Sequence, residues 1–330
     1  MLAISLLMLA LVEGGATLTT LFSTENLLLI FGAIILLAIF GWVEKKAKDP
    51  IIPFALFRNK TVSVSVTAGF LAGVAMFGAI SFVPLFAQGA LGSTATAAGS
   101  LLTPLMLSWV LLSVIGGRIL LKTGYRSISI VGFAVLTIGF VSLALFQRGT
   151  PRFWLYVDLA LVGAGLGLTM LTLLIAVQQA VDRTKLGVAT SLNQFSRAIG
   201  GAFGVAIMGA FMSAGLASQL NKAATSSSLT VEQAAAFASN PNALIDPEAK
   251  AKVPKETLEV LQESMAISIH KVFWIGSAFS ALALLVIFFL PKREEGTDIH
   301  KPDENAGETM LMAEQTTINA RNQPEAEDHS

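Results

Sequence analysis

The chain has 330 residues, of which 54% are hydrophobic and 13% charged, and its net charge is zero. Soluble proteins carry about 25% charged residues, so this composition excludes an ordinary soluble enzyme and indicates an integral membrane protein. No basic surface for nucleic acid is evident. The absence of cysteine excludes disulfides and thiolate metal sites. The three histidines lie at or outside the edges of the apolar stretches, so we predict no bound metal and no cofactor.

Eight apolar stretches are long enough to cross a bilayer, because a helix needs roughly 20 residues to span about 30 Å of hydrocarbon. We predict that each is helical, since lipid offers no partner for free backbone groups. The chain is therefore predicted to be an all-α transmembrane protein. The predicted spans are residues 1–21, 26–43, 62–86, 95–117, 127–146, 153–178, 190–215 and 271–290.

Lysine and arginine are concentrated in alternate connections between these spans. The positive-inside rule makes those connections cytoplasmic and places the C-terminus in the cytoplasm of a multi-pass plasma-membrane protein. The tail has ten acidic residues against four lysines and arginines, which predicts disorder. The predicted regions are two helices in 1–44, a cytoplasmic connector at 45–61, six helices in 62–290 with an external loop at 216–270, and the cytoplasmic tail at 291–330.

Two stretches of the external loop have helical signals. Residues 230–233 read Thr-Val-Glu-Gln, which fits a capping box. After Pro254, apolar residues recur every three or four positions and predict an amphipathic helix, either a surface linker or a lid over a ligand. At the other end of the chain, Met1 lies directly inside an apolar run with no signal-peptide pattern, and we expect a segment upstream.

The segment "GGRILLKTGYR" joins two of the spans and combines glycines with regularly spaced cations. Its cations are placed to meet lipid phosphates, the C-terminal carbonyls of a helix or an acid on a neighbouring helix. Simple anchoring by positive charge explains the spacing. A hinge also explains it, because one glycine permits close helix approach and another permits a tight turn at positive φ. The residues concerned are Gly117, Arg118, Lys122, Gly124 and Arg126.

This segment resembles the cytoplasmic loop motif of the major facilitator superfamily, except that Leu121 stands where that family has an acid. The strings "DPIIPFALFRNKTV", "FVPLFAQGALGSTATAAGSLLTPL" and "GAGLGLTMLTLLIAVQQAVDRTKLGVATSLNQFSRAIGGAFGVAIMGA" resemble the second half of its 14-helix drug:proton antiporters, the EmrB/QacA type. The resemblance covers about residues 1–290. It implies two linker helices followed by a six-helix C-terminal bundle of two three-helix repeats, without the first six helices.

What the resemblance implies about function is export of lipophilic, often cationic, compounds in exchange for protons by alternating access. The expected partners are the lipid bilayer, a small lipophilic substrate, protons and a missing N-terminal six-helix half. The substituted acid argues against a charge-relay role for this copy of the motif and leaves a structural hinge. The alternative is a truncated, non-transporting membrane module or a partner of a separate N-terminal half. An intramembrane enzyme is disfavoured, because no nucleophile and base pair lies within the spans.

Polar residues inside the predicted spans are candidates for the substrate cavity or a proton path, because charges in a bilayer are costly. Glu13 lies in the middle of the first span, and Asp158 lies near the external edge of the sixth, where Arg152 could pair with it. Arg197 follows two amides by four and three residues, which predicts one helical face that lines the cavity or lets the arginine reach the phosphates. The candidates are Glu13, Gln88, Asp158, Asn193, Gln194 and Arg197.

Two pairs of glycines in the spans have the G-x-x-x-G spacing that lets membrane helices pack closely. The run "GAGLG" at 163–167 is not a nucleotide fingerprint, because no strand precedes it and its spacing differs. We therefore predict helix packing at Gly163, Gly167, Gly200 and Gly204.

Overall fold

The structure is a computed structural model and describes residues 23–46, 54–147, 149–225, 230, 237 and 253–291. Glu13, the predicted span 1–21, most of the predicted capping box and the tail from residue 292 lie outside the described residues. Within the described residues, all regular secondary structure is helical.

Eight α-helices and two short 3-10 helices make up the described chain. They are α1 (Thr24–Lys46), a 3-10 helix (Phe54–Arg58), α2 (Lys60–Gly89), α3 (Ala95–Ser100), α4 (Leu102–Thr123), α5 (Tyr125–Leu145), α6 (Arg152–Gln179), a 3-10 helix (Arg183–Lys185), α7 (Leu186–Thr225) and α8 (Lys255–Ile287).

Six helical segments of the described chain are long and apolar enough to cross a membrane. They coincide with the last six predicted spans. The predicted span 26–43 lies in α1, whose apolar stretch Leu27–Leu36 is too short to be counted with these six. The six segments are Lys60–Gly89, Ala95–Leu120, Tyr125–Leu145, Arg152–Gln179, Arg183–Thr225 and Lys255–Ile287.

The last two membrane helices are longer than hydropathy alone predicts. α7 continues to Thr225, and α8 begins at Lys255, so the amphipathic stretch after Pro254 is continuous with the last span. The two helices pack on each other, and Gly215 of α7 lies against Ser268 of α8. Packing between helices thus extends helical structure past the apolar residues, and the connection between α7 and α8 is shorter than the predicted loop 216–270.

The start of α2 is fixed by a side-chain cap. The Asn59 carboxamide oxygen accepts hydrogen bonds from the backbone N–H groups of Thr61 at 2.9 Å and Val62 at 3.4 Å, as an N-cap residue does. The Asn59 amide nitrogen donates to the carbonyl of Ala180, just past the end of α6, at 2.9 Å. One side chain therefore begins α2 and ties it to the end of α6.

The six membrane helices pack in a small number of extensive pairs. α4 packs mainly on α6, and α2 packs mainly on α7. α5 packs on α6, α8 packs on α2, and α5 and α8 also pack on each other. Large side chains fill the centre, among them Phe86, Phe133, Phe140 and Phe273, which are fully buried.

The two ends of the bundle differ chemically. At the basic end, α2, α5 and α7 begin and α4, α6 and α8 end; its described cations are Arg58, Lys60, Lys122, Arg126, Arg183 and Lys185. At the opposite, aromatic end, the ring of Phe86 lies 5.6 Å from His270, 6.0 Å from Phe146 and 5.9 Å from Phe273, measured between centroids.

Candidate functional site

The connection between α4 and α5 is a single-residue turn. Gly124 has φ 76° and ψ 160°, a conformation that side chains with a Cβ rarely adopt. Its N–H donates to the carbonyl of Leu120 at 3.1 Å and ends α4. The predicted tight turn at positive φ is therefore present at this position.

One cation of the same loop motif binds the end of another helix. Arg126 donates from Nη2 to the carbonyl of Phe288, immediately after α8, at 2.9 Å. This contact places a positive charge at the negative end of the helix dipole. Arg118 and Lys122 are exposed, and a Cβ on Gly117 would lie 3.1 Å from Leu171 of α6. Of the partners expected for the motif's cations, Arg126 has the helix C-terminal carbonyl.

The predicted glycine pair on α6 lies directly against α4. A Cβ on Gly163 would overlap the carbonyl oxygen of Leu105, and one on Gly167 would overlap that of Trp109. Glycine is therefore required for the separation between these two backbones. We call this contact the α4–α6 seam.

The second predicted glycine pair lies against α2, and glycines of α2 answer it. A Cβ on Gly200 would overlap the carbonyl oxygen of Phe70, and one on Gly73 would overlap that of Arg197. Gly204 lies against Val74. We call this contact the α2–α7 seam.

Gly69 and Gly73 were missed in the sequence analysis. Their own G-x-x-x-G spacing within a predicted span was the signal that could have identified them. A Cβ on Gly69 would lie 3.0 Å from the side-chain oxygen of Asn193 on α7.

The three polar residues expected on one face of α7 have different surroundings. Asn193 is 4% exposed, and its side-chain oxygen has no hydrogen-bond partner among the described residues. Gln194 is exposed. Arg197 is half-buried and donates from Nη1 to the sulfur of Met170 on α6 at 3.3 Å. Asn193 therefore faces α2, while the Arg197 side chain reaches α6.

Two further hydrogen bonds connect α7 to its neighbours near the basic end. The Gln178 amide of α6 donates to the Thr190 hydroxyl at 3.0 Å, and the Ser196 hydroxyl donates to the carbonyl of Val66 on α2 at 2.9 Å. These residues were not among the sequence candidates, because single amides and hydroxyls in a span carry no distinctive spacing. Together with Asn193, they give α7 most of the polar contacts found at this depth.

Asp158 and Gln88 lie apart from this polar group. Asp158 is 3% exposed, and its carboxylate accepts a hydrogen bond from the Ser142 hydroxyl of α5 at 2.5 Å, whereas Arg152 is exposed. The partner expected for Asp158 was Arg152, and the partner found is on the neighbouring helix. Gln88 is half-buried, and its amide nitrogen lies 3.4 Å from the carbonyl of Pro84 one turn earlier.

The chemistry available around α7 is hydrogen bonding and positive charge. Its amides, hydroxyls and guanidinium could bind a ligand through acceptors and donors. Within the described residues, no three His, Asp or Glu side chains are grouped closely enough to hold a metal ion.

Comparison with known proteins gives consistent relatives. A family model described as Major Facilitator Superfamily matches residues 2–205. The multidrug transporter protein MdtP of Bacillus subtilis (strain 168) is 35% identical over 265 residues, which cover 75% of this chain and 49% of the relative. Multidrug resistance protein 3 of the same organism is 31% identical over 87% of this chain and 56% of the relative.

The chain therefore spans about half the length of these curated relatives. A tetracycline resistance determinant of Streptomyces rimosus is 28% identical over 52% of this chain and 50% of the relative. Among solved structures, a bacterial homolog of the human lysosomal transporter Spinster, inward-facing and unoccupied, aligns at a TM-score of 0.48. That alignment has 18% identity and covers 89% of this chain and 70% of the other.

Proposed function

We propose, from the premise that this chain belongs to the Major Facilitator Superfamily, that it is the C-terminal portion of a transporter that exports lipophilic compounds. Transport proceeds by alternating access, in which two helical bundles rock about a central site. Protons move inward as the compound moves out. The multidrug names of the two Bacillus relatives support this choice of substrate.

One observation carries the proposal, which is that the packing of the six helices repeats. Exchange α2, α4 and α5 for α6, α7 and α8, in that order, and the pair α2/α7 becomes α6/α4. The same exchange turns the pair α2/α8 into α6/α5. All four pairs are among the extensive contacts of the bundle. This correspondence supports two three-helix repeats, the arrangement that lets such bundles rock.

The seams support the same exchange at the level of single residues. Gly69 and Gly73 of α2 face α7, and Gly163 and Gly167 of α6 face α4. Each pair has the same four-residue spacing and occupies the corresponding helix of its repeat. Small residues at such contacts let backbones touch and shift against one another.

The full architecture in this proposal is the 14-helix one. Residues 1–44 form two linker helices, residues 62–290 form the six-helix bundle, and six further helices precede this chain. The protein lies in the plasma membrane with its basic end in the cytoplasm, in accord with the positive-inside rule. The tail at 291–330 is then a disordered cytoplasmic segment.

The candidate residues divide into three roles. The loop motif around Gly124 forms the cytoplasmic hinge, and the glycine pairs form the sliding seams. Gln88, Asn193, Gln194 and Arg197 contribute to the cavity. Asp158 and Glu13 are the candidate proton-active acids.

The orientation is testable because the chain has no cysteine, so single cysteines can be introduced without background. Lys122→Cys lies at the basic end, and Gly149→Cys lies in the loop after α5, where an added Cβ meets nothing within 4 Å. A membrane-impermeant maleimide should label Gly149→Cys in intact cells and Lys122→Cys only after permeabilisation. The opposite pattern would overturn the orientation.

The activity is testable with the product of the complete reading frame, purified and reconstituted into liposomes. With an imposed pH gradient, we expect movement of a fluorescent lipophilic dye together with dissipation of the gradient, measured with an internal pH indicator. Liposomes without protein provide the control. If neither dye nor protons move, transport is excluded, and if dye moves without protons, only the coupling is excluded.

A further inference from the structure

Arg197 lies deep within a membrane helix. It is eleven residues past Leu186, the start of α7, or about 16 Å along the helix axis. A guanidinium at such a depth is costly in a bilayer, so arginines in spans usually face a cavity and pair with an anion.

The Arg197 side chain does not extend to the basic end to reach water. Its Nη1 atom lies 3.3 Å from the sulfur of Met170, which is nine residues, or about 13 Å, from the last residue of α6. Meanwhile the Arg197 carbonyl lies against Gly73 of α2. The residue thus stands where α2, α6 and α7 meet, well inside the bundle.

The acceptor that Arg197 has is a poor match for its donors. A guanidinium carries five N–H donors, and a thioether sulfur is only a weak acceptor. Gln194, one turn earlier on α7, is exposed beside it and adds an amide. The site therefore offers several strong donors and a full positive charge to whatever enters it.

Among the acidic side chains that the structure describes, none is placed to neutralise Arg197. Asp158 is twelve residues from Met170 along α6, about 18 Å away. Asp182 lies in the turn after α6 and pairs with Lys185 at 3.9 Å. The remaining described acids, Glu256, Glu259 and Glu263, belong to the start of α8 at the aromatic end.

We propose that Arg197 binds an anionic group of the transported compound, so that the site prefers lipophilic carboxylates to lipophilic cations of the same shape. The planar guanidinium accepts a carboxylate through two parallel hydrogen bonds, and Gln194 adds a third donor. This inference rests on the proposed function and narrows its substrate class.

The test uses two fluorescent probes that share a shape and differ in charge, pyrenebutyrate and pyrenebutyltrimethylammonium. Binding is measured by fluorescence anisotropy to the complete protein in nanodiscs of zwitterionic phosphatidylcholine, with empty nanodiscs subtracted. We expect the wild type to bind the carboxylate at least about tenfold more tightly, because hydrogen bonds to charged groups contribute about that much or more.

Three variants separate charge, geometry and surface effects. Arg197→Gln should weaken pyrenebutyrate binding by about tenfold or more and leave ammonium binding unchanged or tighter. Arg197→Lys keeps the charge but loses the planar fork, so it should restore only part of the affinity. Arg183→Gln removes an exposed arginine outside the spans and should change neither affinity.

The outcomes are distinct. The inference is overturned if the wild type does not bind pyrenebutyrate or does not prefer it. It is also overturned if Arg197→Gln weakens it no more than Arg183→Gln does, which would assign the counter-charge to an acid elsewhere in the protein. Unchanged ammonium binding shows that the Arg197→Gln site is still folded. If the preference holds but no probe crosses a membrane, the proposed function fails and the binding site stands.

Discussion

The two seams of the bundle use the same backbone packing and differ in their side chains. In the α4–α6 seam, Gly163 and Gly167 lie on backbone carbonyls, and the neighbouring hydroxyl of Ser108 bonds within its own helix. In the α2–α7 seam, Gly73 and Gly200 pack in the same way. There, however, Asn193, Ser196 and Arg197 add an amide, a hydroxyl and a guanidinium.

This difference separates packing from chemistry. Close approach needs only glycines, so polar side chains at one seam are not explained by the packing itself. Burying them is unfavourable unless they are bonded, and Asn193 has an oxygen without a described partner. The α2–α7 seam is therefore the better candidate for ligand contact, and the α4–α6 seam serves as its structural control.

The largest effects should come from filling both seams. Gly163→Ala and Gly200→Ala each introduce a methyl group that overlaps a backbone carbonyl, and each should lower the free energy of unfolding by about 3 kcal/mol. Thermal unfolding of the detergent-purified protein measures the loss. Gly209→Ala, also in α7, meets nothing within 4 Å and should be neutral. Equal stability of Gly200→Ala and Gly209→Ala would refute the close approach.

A smaller effect of opposite sign is expected at Asn193. Asn193→Leu removes a buried oxygen that lacks a described partner, so the free energy of unfolding should rise by about 1 kcal/mol, while transport should fall. Ser129→Ala is the matched control, because its buried hydroxyl also lacks a described partner but lies on α5, outside both seams. It should leave transport intact. A destabilised Asn193→Leu would mean that the amide is bonded after all, and the contrast between the seams would weaken.

The smallest effect is expected outside the seams, at the basic end. Arg126→Gln removes the charged donor to the Phe288 carbonyl and should lower the free energy of unfolding by about 1 kcal/mol. Arg118→Gln changes an exposed arginine of the same motif and should have no measurable effect on unfolding. If both variants behave alike, the motif contributes charge alone and not a specific helix contact.

The membrane helices could be predicted from the sequence because their signal is local. Spans such as 62–86 and 127–146 fall within a few residues of α2 and α5, since lipid requires both apolar side chains and satisfied backbone groups. The turn at Gly124 was predictable for the same reason, because positive φ is a property of one residue. Hydropathy could not predict the far end of α7, where packing on α8 maintains the helix.

The surroundings of the site residues depended on information that the sequence does not carry. Residues four apart on a helix differ by about 40° around its axis, so Asn193 and Arg197 were expected to share a face. The boundary between α2 and α6 falls within that arc, and each residue contacts a different helix. Likewise, only the tertiary arrangement brings Ser142 to Asp158 and Met170 to Arg197.

The length of α7 has a mechanical consequence. Ten residues of this helix follow Gly215, so about 15 Å of continuous helix extends toward the aromatic end from its contact with Ser268 of α8. A continuous helix transmits a tilt along its whole length, and its tip therefore moves farther than the embedded part. A pair of spin labels on that tip and on the start of α8 would act as a lever arm that magnifies small rotations of the span.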